Sequence, residues 1–113
     1  MDLDIASARH GGSCVVTLIG EVDVYTAPAL RARLLEATDS DCGAIIVDMS
    51  GVDFIDSSGL GVLLGTLKRV REQDSTLTIV SDREIVLKVF HVTGLDRVFS
   101  IVSTLAEATG SGA

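Results

Sequence analysis

Asp56-Ser57-Ser58-Gly59-Leu60-Gly61-Val62-Leu63-Leu64-Gly65 is the stretch on which the fold of this 113-residue chain turns. An acid and two hydroxyls come first, then glycines, while Leu60, Leu63, Leu64 and Leu67 recur at the spacing of one helical face. Oxygen-bearing side chains ahead of such a run mark a helix start, because they accept bonds from the first unpaired N–H groups. The pattern predicts a helix with Ser57 and Ser58 at its N-terminus, running to about Glu72. Upstream, Ala44-Ile45-Ile46-Val47-Asp48-Met49 is a continuous apolar run rather than an alternating one. A strand of that kind is buried on both faces and implies a parallel neighbour. Phe54 and Ile55 join it to the helix, so a buried strand feeds a loop and the loop feeds a helix N-terminus. In open α/β sheets, sites form beyond the carboxyl ends of strands, which puts a site at this junction.

A hydroxyl at such a junction has two readings. It caps the helix, or it carries a phosphoryl group that the N–H groups and helix dipole tolerate, with Asp56 beside it to repel the added charge. Gly61 and Gly65, four apart on one face, each cost helix stability by about 1 kcal/mol relative to Ala. Close approach of the helix to the sheet is one explanation for them, and a contact to something else is another.

The whole chain bounds these readings. Its length fits one domain, expected over 1–109 with a frayed tail at 110–113, and suffices for a core without metal or disulfide. Apolar residues make up 47% of it with no Trp, so the core is aliphatic. A net charge of −7 argues against nucleic acid and anionic membranes as partners and suits a partner with a basic patch. No run approaches a membrane span and the N-terminus lacks the pattern of a signal peptide, so cytoplasm is the expected location. Cys14 and Cys42 lack metal-ligand spacing. Cys14 reads as a small core hydrophobe, and Cys42, in a polar turn, as an exposed free thiol. Two thiols point to a reducing compartment.

The remaining elements follow in order. Leu3 to Arg9 and Cys14 to Ile19 read as strands about a Gly11-Gly12 turn. Thr26 is a plausible N-cap, with Pro28 in the first turn of a helix that buries Ala27, Leu30, Leu34 and Ala37. Thr76 to Val80 is a strand. Ser81 and Glu84 have capping-box spacing ahead of a helix that turns Val86, Val89 and Phe90 inward and stops at Gly94. Val98 to Val102 is a short strand, and Ser103 or Thr104 opens a last helix through Ala108. The predicted order is β-β-α-β-α-β-α-β-α, an α/β domain with a mixed sheet of about five strands and about four helices.

Catalytic constellations fail on their own terms. Gly65 is followed by Thr66-Leu67, with no P-loop lysine. Gly59-x-Gly61-x-x-x-Gly65 has its third glycine one place too late for a dinucleotide fingerprint. Ser57 lacks the flanking glycine of a nucleophile elbow, and neither His10 nor His91 stands as its base. Asp23, Asp48, Asp53 and Asp56 match no metal-loop spacing, so no cofactor, metal or enzymatic activity is expected.

Three separated segments resemble one family. Gly20-Glu21-Val22-Asp23 resembles a G-E-[IVL]-D signature, and Ile46-Val47-Asp48-Met49 with Val52-Asp53-Phe54-Ile55-Asp56-Ser57-Ser58-Gly59-Leu60-Gly61 resembles a phosphoacceptor segment. Phe90-His91-Val92-Thr93-Gly94-Leu95 resembles the ending of a third helix. Together, over about Leu3 to Ala108, the chain resembles the STAS domain, specifically bacterial anti-sigma-factor antagonists. That resemblance implies phosphorylation of Ser57 by an anti-sigma factor that is itself a GHKL-type serine kinase. It implies that the unphosphorylated form binds this partner and frees the sigma factor, and that a PP2C-type phosphatase resets the switch. It places Asp23, Asp56, Ser57, Ser58 and Gly59 in the docking surface. The alternative is a constitutive STAS scaffold in which Ser57 only caps the helix. A small hydrolase using Ser57 is the third reading, weakened by the missing base.

Overall fold

A computed structural model describes residues 2–110. The tail expected at 110–113 therefore lies, beyond Gly110, outside the described residues. The elements are β1 (Leu3–His10), β2 (Ser13–Val22), α1 (Ala27–Asp39), β3 (Ala44–Ile55), α2 (Ser57–Glu72), β4 (Thr76–Val80), α3 (Glu84–Val92), a 3₁₀ turn (Leu95–Arg97), β5 (Ser100–Val102) and α4 (Leu105–Thr109). The strands form one sheet in the order β1-β2-β3-β4-β5. β1 runs antiparallel to β2, and every later pairing is parallel.

The two faces of the sheet are covered unequally. Side chains alternate along a strand, so Val15 and Val16 point to opposite faces. Val16 joins the main core with Leu30 and Leu34 of α1, Leu63 and Val70 of α2, and Val86 and Phe90 of α3. Val15 joins Ile46 and Val80 in a smaller cluster capped by Val102 and Ala108, next to α4. β3 is thus buried on both faces, as its unbroken apolar run requires. Ala27, Leu30, Leu34 and Ala37 line the buried side of α1 as their spacing predicts. In α2 the buried positions include Leu60, Leu63 and Leu67, while Leu64 remains 38% exposed.

The strand ends position the functional region. The β2–β3 register shifts between Thr17 and Ile19 and again between Gly20 and Glu21. Gly20 takes φ +125°, and a Cβ there would strike the Asp2 carbonyl, so glycine is required where the strand turns past β1. Beyond the shift, Val22 pairs with Ile55, and the Asp56 amide donates to the Val22 carbonyl at 3.1 Å. The loop after β2 and the start of α2 are therefore held side by side.

Several expectations are corrected. Cys42 is not an exposed free thiol: it is 8% exposed and disulfide-bonded to Cys14, with the two Cα atoms 5.9 Å apart. Parallel pairing of Cys14 with Ile45 brings the two residues together. The case for a reducing compartment, which rested on two thiols, falls with it. Ser81 does not open a capping box. It is buried, and its amide donates to the Val102 carbonyl at 3.0 Å, so it prolongs the sheet and α3 begins at Glu84. Of the two hydroxyls expected to open the last helix, Thr104 caps α4, accepting from the Glu107 amide at 3.2 Å. The segment expected as strand from Val98 gives β5 only from Ser100, because Leu95–Arg97 coils into the 3₁₀ turn after Gly94, at φ +77°.

Candidate functional site

Asp56 and not a serine caps α2. Its Oδ1 accepts from the Ser58 amide at 2.8 Å and the Gly59 amide at 3.3 Å. Asp and Ser compete well for this position, and the residue that keeps extended backbone takes it. Asp56 does so, at φ −114°, ψ −174°. Ser57 is thereby the first helical residue. Its side chain is exposed, and its hydroxyl has no hydrogen-bond partner among the described residues. The positive end of the helix dipole lies beside it, with the Ser58 and Gly59 amides already engaged by Asp56 Oδ1 and the Leu60 amide by the Asp56 carbonyl. Ser58 is half-buried and borders a groove of about 520 Å³ between α1 and α2, walled also by Arg31, Lys68 and Glu72.

The glycines of α2 divide sharply. A Cβ on Gly59 would collide with Val22 Cγ1 and stand 3.0 Å from Ile55 Cγ1, so this glycine permits the helix to start against the end of β2. Gly61 and Gly65 have nothing within 4 Å of the Cβ position and open onto the α1–α2 groove. Close approach to the sheet therefore explains Gly59 and not the other two.

Next to this start lies the turn after β2. Asp23 is 4% exposed, and its Oδ1 accepts from the Tyr25 and Thr26 amides at 2.9 Å each. Its amide donates to Thr26 Oγ1 at 2.9 Å, and that hydroxyl in turn donates to the Glu21 carbonyl at 2.9 Å. Thr26 keeps the N-cap position of α1, but its hydroxyl bonds backward into the turn and does not cap the helix. The second carboxylate oxygen, Oδ2, is buried without a hydrogen-bond partner. Burying an acid this way is costly unless it organises something. What the turn presents is Val24, 59% exposed, and Tyr25, 81% exposed. Phe54, paired with Glu21 across β2 and β3, adds a third exposed apolar side chain at the same end of the sheet.

The expected residues thus separate by depth. Ser57 lies on the surface, with Asp56 and Ser58 half-buried beside it. Asp23 and Gly59 are buried: Asp23 builds the turn, and Gly59 admits the helix. Val24, Tyr25 and Phe54 were not singled out from the sequence. Val24 and Tyr25 fall in the connection between strand and helix and Phe54 in the lead-in to α2, and only their exposure marks them.

Relatives of known character share this arrangement of elements. The chain is 32% identical over 101 residues to the anti-sigma-B factor antagonist of Bacillus subtilis, covering 89% of this chain and 92% of that one. It is 31% identical over 106 residues to the anti-sigma-F factor antagonist RsfB of Mycobacterium tuberculosis, covering 94% and 86%. A crystal structure of an anti-sigma factor antagonist from Mycobacterium paratuberculosis superposes with a TM-score of 0.90 at 29% identity, over 97% of this chain and 93% of the other. The family model of the STAS domain matches residues 4–108. With a five-stranded mixed sheet, four helices and this match over nearly its full length, the chain belongs to the STAS domain family.

Proposed function

We propose that this chain is an anti-sigma-factor antagonist switched at Ser57. In its unphosphorylated form it binds an anti-sigma factor that is also a GHKL-type serine kinase, and the sigma factor is released. Phosphoryl transfer to Ser57 ends the binding, and a PP2C-type phosphatase restores it. The protein acts as a regulator and a substrate, not as an enzyme.

The observation that carries this reading is the free, exposed hydroxyl of Ser57 at the first position of α2, with the capping already done by Asp56. A hydroxyl with no structural task is available to an incoming kinase. The phosphate adds about −1.5 to −2 charges at pH 7, which the positive end of the helix dipole tolerates without refolding. The same charge stands beside Asp56 on a surface that docking must desolvate. Repulsion there of about 1.4 kcal/mol already lowers affinity tenfold. Val24 and Tyr25, held out by Asp23, supply an apolar contact next to the switch, as the centre of an interface needs.

Incubation with ATP and candidate GHKL-type kinases, followed by mass-spectrometric mapping, tests the reading. Phosphate on Ser57, with loss of complex formation, is expected. Phosphate elsewhere, or a complex that persists after full modification of Ser57, rejects it.

A further inference from the structure

The disulfide lies at the end of the sheet remote from Ser57, roughly 26 Å from Val22 at about 3.3 Å per residue along β2. Its two sulfurs have unequal surroundings. Cys42 is buried. Cys14 is half-buried and lines a surface pocket of about 250 Å³ between the β1–β2 hairpin and α1, which Cys42 does not line. Arg9 and Arg33 stand in the wall of this pocket. Arg9 donates to the Asp41 carbonyl, and Arg33 to the Ile5 carbonyl and the Ser7 hydroxyl, while Arg33 is also ion-paired with Glu36, which leaves Arg9 as the uncompensated charge. Glu36 is the one acid in the wall, 3.9 Å from Arg33. The pocket therefore carries a net positive charge on a chain of net charge −7. Ser40 Oγ lies 3.4 Å from Cys14 Sγ and 3.3 Å from Cys42 Sγ.

We propose that this pocket is a thiol–disulfide exchange site, at which a small anionic thiol attacks Cys14 Sγ. Access decides which sulfur of a disulfide is attacked, and the pocket exposes only Cys14. The thiolate's electron pair forms a new S–S bond to Cys14 as the Cys14–Cys42 bond breaks. The departing pair stays on Cys42 Sγ and solvent supplies a proton, the Ser40 hydroxyl 3.3 Å away donating to the Ala37 carbonyl at 2.6 Å. The products are a mixed disulfide on Cys14 and a thiol on Cys42, with no net oxidation or reduction. The reverse step, attack of the Cys42 thiolate on Cys14, expels the small thiol and closes the bond again. Arg9 and Arg33 draw in a thiol that bears carboxylates and stabilise its thiolate. The site is independent of the reading of Ser57.

The test uses the full chain purified without reductant, first exposed to iodoacetamide, then treated with glutathione, quenched and mapped by mass spectrometry. Expected are no alkylation before thiol is added, then one glutathione on Cys14 with Cys42 newly alkylated. Arg9→Gln, at an exposed position, should slow reaction with glutathione about two- to fivefold while leaving the neutral 2-mercaptoethanol rate within about that lower bound. Arg33→Gln should act in the same direction in protein whose circular dichroism is unchanged. Two cysteines alkylated at the outset, an adduct on Cys42, no adduct at all, or equal slowing with both thiols would each overturn the proposal.

Discussion

The two ends of the parallel strands are built on opposite principles. At the amino-terminal end, a covalent bond joins the start of β2 to the residues leading into β3. At the carboxyl-terminal end no covalent link exists, and order comes from two carboxylates. Asp56 gathers the first amides of α2, and Asp23 gathers those of the turn after β2. The first end closes the fold. The second leaves a hydroxyl and apolar side chains outside it: Ser57, Val24, Tyr25 and Phe54. Apolar side chains displayed on a hydrogen-bonded turn suit a docking surface, since ordering a loose loop on binding would cost affinity.

This contrast can be broken from either side. The largest effect is expected at the covalent end. Reducing the disulfide, which joins residues 28 apart, should lower stability by about 2–4 kcal/mol in chemical denaturation. The same treatment should leave the rate of Ser57 phosphorylation unchanged in whatever fraction remains folded. At the other end, Asp23→Ala strands two amides of the turn and should cost about 2 kcal/mol, read as a lower midpoint in urea. Asp23→Ala should also weaken partner binding, because Val24 and Tyr25 lose their support.

A pair of substitutions within α2 sharpens the comparison further. Gly59→Ala drives a methyl into Val22 and Ile55 and should destabilise by about 1–3 kcal/mol. Gly65→Ala meets nothing and should stabilise by about 0.5–1 kcal/mol through helix propensity. Thermal melts of the two variants should therefore move in opposite directions. Equal destabilisation by both would show that the groove at Gly65 is closed in solution.

Sequence reasoning reached the order of elements because each was announced by its own chemistry. The unbroken apolar run of β3 demanded cover on both faces and a parallel partner. Pro28 and Gly94 punctuated helices where a fixed φ or a left-handed residue was needed. The stretch from Asp56 to Gly65 was legible as a helix start from its oxygen-bearing side chains and leucine spacing. What stayed hidden depended on register, which no local pattern carries. Cys14 and Cys42 meet only because β2 pairs with β3 so as to place Cys14 opposite Ile45. Ser81 continues the sheet through its bond to Val102, its hydroxyl accepts from the Arg83 amide, and the helix starts only at Glu84. Asp56 and Ser57 could each have capped α2, and only the dihedral angles distinguish them. Asp23 illustrates the deeper difficulty. Its place near the site was visible in the Gly20-Glu21-Val22-Asp23 segment, but its burial, and the display of Val24 and Tyr25 that follows from it, belong to the three-dimensional turn.

On the proposed function, Ser57 serves binding and not folding. Its most direct test is the affinity of wild type, Ser57→Ala and Ser57→Asp for the cognate anti-sigma factor, measured on samples whose stability is determined in parallel. The account predicts that all three unfold within about 0.5 kcal/mol of one another, as expected at a surface position that holds no cap. It predicts that Ser57→Ala binds like wild type, while Ser57→Asp binds about tenfold more weakly or worse. Equal affinity of all three, or a loss of binding in Ser57→Ala that follows a loss of stability, would contradict it.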